Sequence, residues 1–305
     1  MGKVSLTSAS DYLAEALSGR NRVASTGEGL LFVSAVHGID RSYAHGVATF
    51  ALVHGAWLGA WCWELVTPLL EQAGHAVVAV DLPCEDASAS FDTYADVVCE
   101  SLTRCDDDVV LVGHSMGAHT VPLVADRRPV RHVVYLCGVV PSLGQSLSDQ
   151  LLADPGMLDP LWQQGVAMDH EQTRSTWVDA DIAKQVMFHD CGDRTASAAF
   201  DRLRPQALTP QGSPLPLTRF PAVCSTYVVC RDDKLLCPEW SQRVARDRLD
   251  AAIIELPGGH SPFLSRPRSV ADLLVGYSGR HCIARGFLST SCGRCSQAAR
   301  RSGRP

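Results

Sequence analysis

The sequence predicts an α/β protein: a mainly parallel, doubly wound sheet with helices on both faces and an inserted helical cap. Three observations predict it. From about Ala48 onward, short apolar runs alternate with segments of helical spacing, the pattern of a sheet whose strands are joined through helices. The apolar runs are continuous, as expected of strands buried on both faces. Between Pro141 and Phe220 the alternation breaks, and polar, helix-like stretches replace strands before the sheet resumes.

The elements follow in order. Thr49 to Val53 reads as a buried strand. Gly59 to Ala73 reads as a helix, with Trp61, Leu65 and Leu69 at helical spacing and Gly74 as its stop. Ala76 to Val80 is the second strand, Phe91 to Cys105 a helix, and Val109 to Val112 the third strand. A helix spans Ala118 to Asp126 and a strand Val130 to Leu136. The cap then covers about 141–220, with Trp162, Trp177, Met187 and Phe188 among its apolar residues and a Pro-rich end from Pro205 to Pro221. The sheet resumes with Ser225 to Cys230, a helix from Pro238 to Arg248, the strand Ala251 to Leu256 and a last helix from Arg268 to Gly276.

The domain therefore occupies 46–277, preceded by an extension, 1–45, whose one strand candidate is Leu30 to Val36. The tail, 278–305, is rich in Gly, Ser and Arg without apolar periodicity and is expected to be a disordered, solvated terminus.

With 305 residues, 46% hydrophobic and 20% charged, the chain has the composition of a globular protein and is long enough for one large core or two modest ones. A formal charge of -6 with no basic stripe in the domain argues against nucleic acid as a partner. Asp11, Glu15, Arg20 and Arg22 interrupt the N-terminal apolar runs, so a secretory leader is not expected. No run reaches about 18 apolar residues, so a membrane span is not expected either. The expected location is the cytoplasm. Twelve cysteines in such a chain read as small buried hydrophobes, among them Cys99, Cys137, Cys224 and Cys230. The lone CxxC from Cys292 to Cys295 has no second pair to complete a zinc site. No metal or cofactor is called for, and the oligomeric state is not written in the sequence.

Chemistry concentrates at Gly113-His114-Ser115-Met116-Gly117, where a strand, a sharp turn and a helix expose a serine as a nucleophile. Glycines two residues either side remove Cβ atoms that would collide with neighbouring backbone. A serine hydroxyl needs a base, and the base needs a third group to fix its tautomer. Of eleven histidines, His260 in Pro257-Gly258-Gly259-His260-Ser261-Pro262 lies in a loop directly after a strand and is the candidate base. His119 reads as structural, and His75 and His132 as residues bordering strands. His170 and His189 in the cap are candidates to line a pocket.

The acid falls after the preceding strand, at Arg231-Asp232-Asp233-Lys234. Asp233 is favoured because the segment that follows turns into a helix at Pro238, which leaves Asp232 as a solvated turn residue. Asp106-Asp107-Asp108 reads as a charged loop. Two backbone amides should hold the oxyanion: that of Met116, next to the nucleophile, and that of Ala56 in His54-Gly55-Ala56-Trp57, where Gly55 permits close approach. Trp57, Met187 and Phe188 are candidates to line the substrate pocket, each balanced by a plain core-packing role.

Taken together, the loop at 54–57, the serine turn at 113–117 and the order Ser115, Asp233, His260 make residues 48–277 resemble the α/β-hydrolase superfamily. Val53-His54-Gly55-Ala56-Trp57-Leu58-Gly59-Ala60-Trp61-Cys62-Trp63 is similar to the methylesterase and hydroxynitrile lyase branch and its bacterial esterase relatives, as is Phe263-Leu264-Ser265-Arg266-Pro267. In similar sequences the acid stands in the turn before a proline placed as Pro238 is, which is the position of Asp233. The similar lyases carry threonine where Gly55 stands and lysine where Ser261 stands. Both are missing, so the resemblance implies a cofactor-free serine hydrolase of a small or medium apolar carboxylic ester. The other readings are a cyanohydrin or carbon–carbon lyase using the same residues as acid and base, and a non-catalytic binding protein on the same scaffold.

Overall fold

The computed structural model describes residues 47–169 and 171–279. The extension with its strand candidate, His170, the CxxC and the tail from 280 lie outside the described residues.

Six strands form the main sheet: β1 (Thr49–Val53), β2 (Ala76–Val80), β3 (Val109–His114), β4 (His132–Leu136), and, beyond the cap, two that resume it. The cap contributes β5 (Val166–Asp169), β6 (Arg174–Trp177) and β7 (Gln206–Ala207), after which β8 (Ser225–Cys230) and β9 (Ala252–Leu256) complete the main sheet. Its order is β2-β1-β3-β4-β8-β9, and every pairing is parallel.

Continuous apolar runs are what this arrangement requires. Ala51 and Val53 of β1 and Val109 and Leu111 of β3 bury themselves against Tyr94, Val98 and Val121. Their neighbours Phe50, Leu52, Val110 and Val112 bury themselves on the other face with Trp63, Leu70 and Leu274. Successive side chains point to opposite faces, so both must be apolar when helices cover both.

Several helices are shorter than periodicity predicts. Phe91–Ser101 opens on a reciprocal cap, in which Ser90 Oγ accepts from the Thr93 amide and Thr93 Oγ1 accepts from the Ser90 amide. The stretch 59–73 is not one helix but a 3-10 turn, Ala60–Trp63, and a helix, Thr67–Gln72. Pro68 has no N–H to donate and fits only the first turn of a helix, so the chain restarts there. As a result Trp63 is fully buried while Leu65, counted on the apolar face, is exposed. After Ser115 the chain likewise enters a 3-10 turn to His119 before the helix Thr120–Arg127.

The cap corrects an expectation. It holds the helices Leu147–Ala153, Ala180–Val186 and Asp193–Phe200, but also the antiparallel sheet β5-β6-β7. Its strands are only two to four residues long; β5 is exposed beyond Val166, β6 alternates, and the two residues of β7 are buried, so they offer no apolar run to read. Among the cysteines, Cys137 and Cys230 are buried as expected, whereas Cys99 is only half-buried and Cys224 is disulfide-bonded. No helix among the described residues is long and apolar enough to cross a membrane.

Buried histidines make stability depend on pH. Burial lowers His54 to about 4, His119 to about 3 and His132 to about 4, from an ordinary 6.5. The unfolded chain takes up these protons as pH falls through about 6.5 while the folded chain does not, so protonation favours unfolding in that window. The denaturant midpoint is therefore expected to drop between pH 7.5 and 5. An unchanged midpoint would show these rings to be accessible to protons in the fold.

Candidate active site

Strand register sets the site. Val53 pairs with Gly113, so the loop after β1 and the turn after β3 leave the sheet side by side. Cys230 pairs with Leu256, which does the same for the loops carrying Asp233 and His260. All four leave from the carboxyl ends of the strands, and β1 and β3 flank the point where the strand order reverses, the place where such sheets bind ligands.

Ser115 has φ +49, a left-handed conformation rare for a residue with a Cβ, and it lifts Oγ clear of the sheet. The turn is too tight for side chains around it. A Cβ on Gly117 would stand 2.7 Å from the His54 carbonyl oxygen, and one on Gly55 2.7 Å from Ser115 Cβ. The second contact leaves no room for a side chain at position 55 of this chain.

His260 Nε2 lies 3.0 Å from Ser115 Oγ, and His260 Nδ1 lies 2.7 Å from Asp233 Oδ2. Asp233 Oδ1 accepts from the amides of Leu235 and Leu236 at 2.8 and 2.9 Å, so this carboxylate is held from both ends. Asp232 is exposed; its Oδ2 accepts from the Gly258 amide at 2.8 Å, tying the acid loop to the histidine loop. The two aspartates thus separate, Asp233 bonding the imidazole and Asp232 the backbone of the histidine loop. With Nδ1 donating to Asp233, His260 Nε2 carries the lone pair and accepts from the Ser115 hydroxyl.

Ala56 and Met116 face the same cavity as Ser115, each next to a residue whose backbone the turn fixes. His54 braces that loop. It accepts from the Leu82 amide at Nε2 and its Nδ1 donates to the Gly55 carbonyl, and burial keeps it neutral.

The cavity, about 60 Å³, is lined by Trp57, Leu147, Met157, Trp162 and Leu208 among others, and no ionisable side chain is among its lining residues. Trp57 is fixed in place: its Nε1–H donates to Ser175 Oγ of β6 at 3.0 Å, and its ring meets those of Trp162 and Trp177. Met187 and Phe188 do not line it. They are buried in the core on the Phe50 and Leu52 face, so core packing is their role. His189 is no lining residue either; its Nε2–H donates to the Asp232 carbonyl at 2.8 Å.

Three contributors carry no sequence signal. The His114 Nε2–H donates to the His260 carbonyl at 2.9 Å, fixing the histidine loop from the strand that bears the serine. Burial, with His260 nearby, holds His114 well below the usual histidine range and therefore neutral. Asp190 in the cap accepts from the Gly259 amide at 3.0 Å. Ser175 anchors Trp57. Each acts through a backbone group or a partner far away in sequence, which no local spacing records.

The profile of the alpha/beta hydrolase family matches residues 50–273, and the chain belongs to that family. Its relatives fall in the methylesterase-like branch. It is 28% identical over 263 residues to polyneuridine aldehyde esterase of Rauvolfia serpentina, covering 75% of this chain and 95% of that protein. It is 26% identical over 249 residues to putative methylesterase 14, chloroplastic, of Arabidopsis thaliana, covering 75% of this chain and 71% of that protein. A pyrethroid hydrolase from Sphingobium faniae JZ-2 shares the fold, with a TM-score of 0.68 at 22% identity over 76% of this chain and 97% of the other.

Proposed function

We propose that the protein is a serine esterase that cleaves a small or medium apolar carboxylic ester through an acyl-enzyme intermediate. At the level of the family it is a carboxylic ester hydrolase of the α/β-hydrolase type. The observation that carries the finer reading is the unbroken hydrogen-bond chain from Ser115 Oγ through His260 to Asp233.

Ser115 Oγ attacks the ester carbonyl while His260 Nε2 takes its proton, and Asp233 stabilises the imidazolium and holds its orientation. The carbonyl oxygen, now negative, accepts from the amides of Ala56 and Met116. Collapse expels the alkoxide, which takes the proton from His260, and the acyl group stays on Ser115. Water repeats the sequence and releases the acid. The uncharged lining supports a neutral apolar substrate, since a charged group would be buried there without a partner.

A panel of methyl and p-nitrophenyl esters tests this reading on the purified chain. Release of acid and alcohol is expected, with preference for apolar acyl groups. Release of aldehyde from a cyanohydrin with no ester turnover would assign the site to lyase chemistry instead.

A further inference from the structure

Directly beside the acid and the base lies a group of soft donors that the ester chemistry does not use. Cys137 follows β4, and its Sγ, a carboxylate oxygen of Asp233 and a ring nitrogen of His260 all lie within 4.8 Å of one another. The Cys230 thiol, at the end of β8, is the hydrogen-bonding neighbour of Cys137. All four residues are buried. The backbone sets this grouping: Leu136 pairs with Val228, and the Cys137 amide donates to the Val228 carbonyl at 2.9 Å. Both sulfurs therefore come from adjacent strands whose ends also carry the acid loop.

Thiolate, imidazole and carboxylate together are the donor set of zinc and its softer congener cadmium. A tetrahedral ion with bonds of about 2.0–2.3 Å holds its donors about 3.5 Å apart, so side-chain rotations of about 1 Å bring this set into coordination. We propose that Cys137, Asp233 and His260, with Cys230 supplying a second sulfur, form a binding site for a thiophilic divalent cation, and that its occupancy switches the enzyme off. The inhibitory half rests on the serine-esterase reading; the binding half does not.

The balance is simple. The ion displaces the two thiol protons to solvent and binds His260 at Nδ1, and the proton that Nδ1 carried passes to Nε2, whose lone pair takes it up. The single ring proton then faces Ser115, so the imidazole donates where it has to accept. The base is lost, and Asp233 is drawn to the ion. No bond to substrate is involved, so inhibition is expected to lower kcat and to reverse on chelation.

Cadmium chloride titrated into the full chain provides the test, with ultraviolet thiolate-to-cadmium absorbance and ester turnover read on the same samples. Absorbance is expected to grow as turnover falls, and a chelator restores turnover. Cys137→Ser and Cys230→Ser keep side-chain size and remove a soft donor. Each is expected to shift the half-saturating cadmium concentration by more than the roughly tenfold loss caused by changing an outer-shell partner of a metal site. Cys237→Ser, at a half-buried thiol bonded to Glu239, should leave that concentration where it is. Equal cadmium affinity in wild type and Cys137→Ser overturns the site. Loss of the band in Cys137→Ser with turnover indifferent to cadmium overturns the inhibitory half. If no form turns over esters, the serine-esterase reading fails while the absorbance series still decides the site.

Discussion

Replacing Ser115 by alanine is expected to lower ester turnover by a factor on the order of 10⁶, as removal of the nucleophile does in Ser-His-Asp enzymes. The substitution takes away one oxygen from a turn that tolerates nothing larger. Its other consequences are small. Alanine adopts φ +49 with the same difficulty as serine, Gly117 still clears the His54 carbonyl, and the Val139 amide still reaches the carbonyl of residue 115. The lost side-chain hydrogen bond to His260 is worth about 1 kcal/mol in stability, so the variant should fold and keep its near-ultraviolet circular dichroism. Turnover in such a variant comes from binding and the two amides, about 10³–10⁴ over water. A variant that retains turnover within tenfold of the parent would mean that Ser115 is not the nucleophile. Active-site titration with a chromogenic ester gives a second readout, since the stoichiometric burst of an acyl-enzyme disappears with the serine.

The main sheet was legible because burial on both faces leaves a simple mark. Thr49–Val53 and Ser225–Cys230 match their apolar runs residue for residue, as does Ala76–Val80 although it is a half-buried edge strand. Helices were less so, because periodicity cannot see where a proline forces a restart, as at Pro68. The residues of the proposed triad were legible for a different reason. Ser115, Asp233 and His260 sit in loops directly after strands, and parallel pairing brings those loops together whatever lies between them in the chain. What holds them was not. His114, Asp190 and His189 act on the backbone of the His260 and Asp232 loops, and a backbone acceptor has no residue type to search for. The pocket was half legible: Trp57 ends the His54–Trp57 loop and lines the cavity at Ser115, whereas Met187 and Phe188 look the same in sequence whether they line a cavity or fill a core.

The adjacent aspartates give the sharpest contrast between neighbouring residues. Asp233→Asn is expected to lower turnover by roughly 10⁴, and Asp232→Asn to leave it within about twofold. Asp233 is buried and accepts three hydrogen bonds: two from the amides of Leu235 and Leu236 on one oxygen and one from His260 on the other. Asparagine offers one oxygen and one NH₂ in the same space. The paired amides hold the oxygen, so the NH₂ faces His260 Nδ1, which must then become the acceptor. The ring proton moves to Nε2 and points at Ser115, and the base is lost although every side chain stays in place. Asp232 differs in each respect. It is exposed, it touches no reacting group, and its one side-chain bond, to the Gly258 amide, needs only the oxygen that asparagine keeps. Stability separates the two as well: an exposed substitution of this kind costs less than about 0.5 kcal/mol, whereas the buried one trades a charge-assisted bond for a neutral one. Steady-state kinetics and denaturant midpoints of both variants decide the matter, and a reversed ranking would move the role of the acid to Asp232.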